Sequence, residues 1–156
     1  MKGTAIYHAP VGVLRLEYED GAVTALRLAG EDAAADAPNR LAEQVFRQLD
    51  EYFAGARSTF DFPCRLCGTP FQRRVWAALQ EIPYGETRSY REIAQAIGSP
   101  GACRAVGMAN HRNPIWIAIP CHRVIGADGS LVGYGGGLAM KKALLALEAA
   151  HRARLG

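Results

Sequence analysis

Cys121 stands between Pro120 and His122, with Arg123 next, at the end of the apolar run Ile115-Trp116-Ile117-Ala118-Ile119. A buried structural cysteine needs none of these neighbours, because it packs as a small hydrophobe. A working thiol does. The thiolate is the nucleophilic form, and the positive surroundings of His122 and Arg123 favour it. Pro120 cannot donate to a strand ladder, so the cysteine is expected where the chain leaves its strand, a common place for working residues. Adjacent side chains on an extended chain point in opposite directions, so His122 should reach the thiol through a bend or a water. A histidine used as a base also needs a third group to fix its tautomer, and Glu148, in the last helical stretch, is the candidate. Taken alone, such a glutamate is ordinarily a solvated surface charge. Together Cys121, His122 and Glu148 would make a nucleophile, a base and its orienter.

Two other groupings invite chemistry. Cys64 and Cys67 have the C-x-x-C spacing of a redox pair or half a zinc site, but no second C-x-x-C or H-x-x-x-H supplies the remaining ligands, so no metal is expected. The stretch "ACRAVGMAN" is small on most faces, with Ala102, Ala105, Gly107 and Ala109 around Arg104. Small residues permit tight packing against another helix; they also permit close approach to a narrow surface such as a DNA groove, with Arg104 projecting. His8, His111 and His151 are most simply surface or capping residues.

The elements that must position these groups suggest an α+β protein: a small N-terminal α/β lobe over 1–66, and a mainly helical domain with a helix-turn-helix over 67–156. "VLRLEY" alternates with Leu14, Leu16 and Tyr18 on one face, and Asp20-Gly21 predicts a tight hairpin turn into "AVTALRL". Leu41, Val45, Leu49, Tyr52 and Phe53 recur at helical spacing, with Gly55 as a C-terminal stop, after the loop-like "GEDAAADAPN". Thr69 with Gln72, and Ser89 with Glu92, are capping boxes that predict two helix starts; Pro70 suits a first turn, and "PYGE" ends the first of these helices. A short helix through Ile97, the break "GSPG" and then "ACRAVGMAN" outline the helix-turn-helix. "VIGADGSLVGY" resembles a hairpin turning at Asp128-Gly129, and a last helix comes after "GGG".

Composition is that of an ordinary globular chain of 156 residues. No apolar stretch approaches the roughly 20 residues of a membrane span, the start lacks a signal-peptide core, and a cytoplasmic protein with its four cysteines as thiols is the expectation. Charge is uneven: residues 1–69 carry seven Lys or Arg against ten Asp or Glu, net −3, while 70–156 carry eleven against five, net +6. A polyanionic partner for the second half fits that bias, as do scattered surface arginines.

"GTPFQRRVW", "IPYGETRSY", "ACRAVGMAN", "RNPIWIAIPCHRV" and "GYGGG", in this order, resemble the DNA-repair 6-O-alkylguanine-DNA alkyltransferases over roughly residues 68–149. The N-terminal lobe agrees only in general pattern, including "EYFAG". The resemblance implies a protein that binds double-stranded DNA containing 6-O-alkylguanine, flips the damaged nucleotide into a pocket, and moves the alkyl group to Cys121 once, without a cofactor. It implies that His122 takes the thiol proton through a water, Glu148 orients His122, and Asn113 holds the turn before the segment. It assigns Tyr90 as donor to the leaving guanine and as a push on the flanking phosphate. Arg104 would fill the vacated stack. The Val124 carbonyl, Tyr134 and Gly135, Gly136 and Gly137 would line the guanine pocket.

The resemblance further implies that the second helix of the helix-turn-helix enters the minor groove, which would explain the small residues Ala102, Ala105 and Gly107. Binding should then rest on phosphates and shape, with strong salt dependence. Trp116, where some relatives carry a smaller residue, predicts a narrow pocket that admits methyl better than benzyl. A monomer is expected, since one lesion needs one thiol. Two other readings stay open: a non-catalytic module that binds alkylated bases and recruits partners, as in the branch with tryptophan in place of the cysteine, and a thiol oxidoreductase built on Cys64 and Cys67.

Overall fold

In the computed structural model, residues 2–30, 34–37, 39–131 and 134–155 are described. Three antiparallel strands, β1 (Lys2–Ala9), β2 (Gly12–Glu19) and β3 (Ala22–Leu28), form a meander in the order β1-β2-β3. The turn between β2 and β3 has positive φ at both central residues, Asp20 (51°) and Gly21 (79°), the two-residue geometry that matches strand twist. β1 was not anticipated from the sequence, although it pairs with β2 along its whole length from Lys2↔Glu19 to Ala9↔Gly12.

Helix α1 (Arg40–Phe53) starts at Asn39, whose side chain accepts from the Ala42 amide, and lays Val45, Leu49 and Tyr52 on the sheet with Leu14, Leu16, Val23 and Leu26. Gly55, at φ 72°, stops it in the left-handed conformation that glycine adopts without strain. Both capping boxes form. Thr69 and Gln72 open α2 (Pro70–Gln80), and Ser89 and Glu92 open α3 (Tyr90–Ala96). α4 (Cys103–His111) completes the helix-turn-helix, and the Trp76 indole donates to the Ala109 carbonyl at 2.9 Å, locking α2 against α4. Ala109 is therefore small for packing, while Arg104 and Ala105 lie exposed on the outer face beside half-buried Gly107.

Two expectations are corrected. The run 115–119 is not a strand that Cys121 leaves: Ile115 makes one parallel bridge to Leu26, and the chain then winds back, with the Ile119 amide on the Ile115 carbonyl and Trp116 bridging Ile119. Ile117 carries the turn at φ 73°, a left-handed conformation that strains a β-branched residue. Nor, among the described residues, does a hairpin ladder continue across the Asp128-Gly129 turn. β5 (Val124–Ile125) pairs in parallel with β4 (Arg88–Ser89) instead, and Asp128-Gly129 only closes a local turn in which the Gly126 amide meets the Ser130 carbonyl. Val132 and Gly133 of that stretch, like Glu31, Asp32, Ala33 and Pro38 of the N-terminal loop, lie outside the described residues. The last helix, α5 (Leu138–Leu155), runs back past Cys121.

Candidate active site

Residues 121–123 form a single 3-10 turn, so the bend expected between Cys121 and His122 is built into the backbone. The turn is held from three sides. Asn113 Nδ2 donates to the Ile119 carbonyl (2.7 Å) while its Oδ1 accepts from the Ile115 amide (3.0 Å), and Asn110 Nδ2 donates to the Cys121 carbonyl (3.4 Å). Beneath it, the edge of β3 supports the loop: the Leu26 amide donates to Pro114, and the Trp116 amide donates to Leu26.

Glu148 is not a solvated charge. It is fully buried, because its carboxylate meets five donors: Tyr52 Oη (2.6 Å), His122 Nε2 (2.7 Å), Arg123 Nε (2.7 Å) and Nη2 (3.0 Å), and the Gly85 amide (3.3 Å). Arg123 also donates to the Ile82 carbonyl at 2.7 Å and stands over the Tyr84 ring at 5.7 Å. Burial pushes the Glu148 carboxyl up, but the hydrogen bonds and charges of His122 and Arg123 outweigh it and hold it well below the usual carboxylate range. With His122 neutral, its hydrogen bond and the bidentate Arg123 guanidinium still favour the ionised carboxylate. With Nε2 of His122 on Glu148, Nδ1 is the basic atom left, and it is buried with no partner among the described residues.

Burial pushes the Cys121 thiol up to about 11, against the hydrogen bond of Asn113 and the charge of Lys141. Burial likewise lowers the imidazole of His122; Glu148 opposes this, and Arg123 and Lys141 add to it. The resting pair is therefore a neutral thiol and a neutral imidazole. Lys141, buried on α5, donates to the Val124 carbonyl and so ties the last helix to β5.

These shifts make stability depend on pH. His122 titrates lower in the folded chain than in the unfolded one, so the folded state binds fewer protons and stability falls as pH drops below about 6.5; Glu148, also depressed, adds a further loss below about 4.5. Urea midpoints should decline on acidification through the first window, and replacement of His122 by glutamine should flatten that part of the curve.

Trp116 and Tyr134 pack with ring centroids 5.3 Å apart. A Cβ at Gly135 would come within 2.7 Å of the Trp116 ring, and one at Gly136 within 2.5 Å of Met140 Sδ, so the bulk of Trp116 and the glycine loop are matched. Tyr90, at the start of α3, lies near both Cys121 and Gly107, between the thiol and the exposed face of α4. Of the residues singled out from the sequence, Cys121, His122, Glu148, Asn113, Val124, Trp116, Tyr134 and Tyr90 thus surround one centre. Arg104, Ala102 and Ala105 lie on the adjoining helix-turn-helix. Sequence reasoning missed Tyr52, Lys141 and Asn110, and it credited Arg123 only with general positive charge. It also passed over Met108, which is 59% exposed among the small residues of α4. Cys64 and Cys67 are exposed free thiols, unlike buried Cys121, and no group of three or more His, Cys, Asp or Glu that could hold a metal occurs among the described residues.

The geometry has counterparts. Residues 70–150 match the DNA-binding domain of 6-O-methylguanine DNA methyltransferase, and residues 4–66 match its ribonuclease-like domain. The chain belongs to the 6-O-methylguanine DNA methyltransferase family. A methylated-DNA–protein-cysteine methyltransferase of Mycolicibacterium paratuberculosis is 54% identical over 149 residues, covering 92% of this chain and 90% of that protein. One from Methanosarcina acetivorans is 47% identical over 150 residues, covering 92% and 96%. Among solved structures, the Mycobacterium tuberculosis OGT in complex with DNA superposes with a TM-score of 0.87 at 49% identity, covering 95% of this chain and 93% of that one. Membership in this family sets aside the oxidoreductase reading of Cys64 and Cys67. No helix among the described residues is long and apolar enough to cross a membrane.

Proposed function

We propose that this methyltransferase repairs duplex DNA by moving the alkyl group of 6-O-alkylguanine to Cys121 Sγ, once per molecule. The observation that carries the reading is the buried thiol one residue from a histidine whose far nitrogen is fixed by an ionised, buried carboxylate. Cys121 is 2% exposed, so a base reaches its sulfur only after leaving the stack. The thiol proton passes to His122 Nδ1 through a water, and the resulting imidazolium is stabilised by Glu148. The sulfur attacks the alkyl carbon, the S–C bond forms as the C–O6 bond breaks, and the electron pair goes to guanine, which takes a proton from Tyr90. The thioether is stable, which ends activity.

Residues 67–156 form the DNA-binding and catalytic part in this reading. Arg104 fills the vacated stack, and Ala102, Ala105 and Gly107 let α4 approach the minor groove. Val124, Tyr134, Gly135 and Gly136 hold the base, no cofactor takes part, and a monomer suffices. Incubation with a duplex holding one 6-O-methylguanine, followed by digestion, should give one methyl group on the peptide carrying Cys121. Tight binding with no such gain would favour the non-catalytic recognition module.

Trp116 sets the alkyl range. The wild type should transfer methyl much faster than benzyl, because the ring already fills the space beside Gly135 and Tyr134. Trp116→Ala should narrow that ratio by about tenfold or more, given that a single methylene of pocket space carries about 1–3 kcal/mol of discrimination. Equal wild-type rates on the two lesions would refute the assignment.

A further inference from the structure

The N-terminal lobe has no part in the chemistry outlined above, yet one of its side chains touches the relay. Tyr52, on α1, reaches across 96 positions of sequence to place its hydroxyl 2.6 Å from Glu148 Oε2, the same oxygen that meets His122 Nε2 at 2.7 Å. We propose that Tyr52 is a positioning residue for alkyl transfer, through which the N-terminal lobe sets how strongly Glu148 holds the His122 proton; this rests on the repair reading.

The hydroxyl is placed by its surroundings. The Tyr52 ring is fully buried and is gripped by Phe53 (edge-on, 5.2 Å), Phe60 (5.6 Å) and Tyr84 (edge-on, 6.3 Å). Burial and the neighbouring Glu148 charge keep the phenol protonated, so it can only donate to the carboxylate. Among the described residues, the charged and titratable groups facing the relay are Glu148 and Lys141 from α5, Arg123 and Cys121 from the 3-10 turn, Tyr84 before β4, and Tyr52 from α1, with Tyr90 of α3 and Tyr134 facing Cys121. Arg123 spans both carboxylate oxygens and the Gly85 amide takes Oε1. Tyr52 and His122 therefore compete for the electron density of Oε2. Each donor to that oxygen weakens its pull on the imidazole proton, and removing one strengthens it.

Tyr52→Phe should thus raise the pH at which His122 becomes protonated. The acid limb of the single-turnover rate of methyl transfer should move to higher pH by about half a unit to one unit, with a several-fold slower rate near that limb. Affinity for the duplex should stay unchanged. Tyr7→Phe is the matched control: it also deletes a buried-side phenol bonded to a carboxylate, Asp50 at 2.6 Å, in the same lobe but away from Glu148. It should leave the limb in place. 3-Fluorotyrosine introduced at position 52 keeps the fold and donates more strongly, so it should move the limb to lower pH, and it serves if Tyr52→Phe does not fold. An unmoved limb in both Tyr52 variants, or equal movement in Tyr7→Phe, would overturn the proposal. Failure of the wild type to gain a methyl group would instead remove the repair reading beneath it.

Discussion

Cys121→Ala should retain duplex binding and gain no methyl group, leaving every 6-O-methylguanine in the substrate intact. The substitution removes one buried sulfur atom from a site bounded by Tyr90, Tyr134 and Lys141, so its cost to folding should be modest, on the order of 1 kcal/mol. Its cost to chemistry should be total, because Cys121 is the only buried thiol among the described residues, Cys64, Cys67 and Cys103 being exposed. Cys121→Ser should fail too. A serine hydroxyl is far less acidic than a thiol, and the burial that already pushes the thiol up to about 11 would act against an alkoxide still more strongly. Intact mass before and after incubation checks both variants, alongside a binding isotherm at several salt concentrations. Methylation of either variant at stoichiometric yield would move the acceptor elsewhere and undo the assignment.

How much of this was legible in the sequence depended on the range of the interaction responsible. Local signals held: the capping boxes at Thr69 and Ser89, the Asp20-Gly21 turn and the Gly55 stop are each decided within a few residues, and all form. Cys121 and His122 were legible because they adjoin each other in the chain, whereas Asn113 was named only by the resemblance. The missed features are long-range. Tyr52 looks like one more core aromatic of α1, since nothing near it in the chain betrays Glu148, 96 positions away. Lys141 resembles a solvated helix charge until the Val124 carbonyl is brought against it. β5 carries a hairpin-like turn after it, and only the tertiary approach of Arg88–Ser89 decides that its partner is parallel. The same holds for the run 115–119, whose apolar composition suits a strand but whose chain must double back to deliver Cys121 to the turn.

Glu148→Gln separates what the carboxylate does for the fold from what it does for the reaction. The variant removes the only negative charge bonded to Arg123 among the described residues and leaves that guanidinium buried, which should cost about 3–5 kcal/mol and lower the urea midpoint accordingly. The amide also presents either an oxygen or an NH2 to His122 Nε2. In the second orientation the imidazole must carry its proton on Nδ1, the nitrogen needed as the base, so the transfer rate should fall by about 10³-fold or more. A second substitution tells the two effects apart. Arg123→Met in the Glu148→Gln background takes away the unpaired cation, and because a buried ion pair replaced by neutral groups is often near-neutral in stability, the midpoint should recover most of its loss. The rate should not recover with it, since no charge then stabilises the imidazolium formed when Cys121 gives up its proton. A double variant that regained both stability and rate would mean that Glu148 serves chiefly to neutralise Arg123, and that His122 needs no anion behind it.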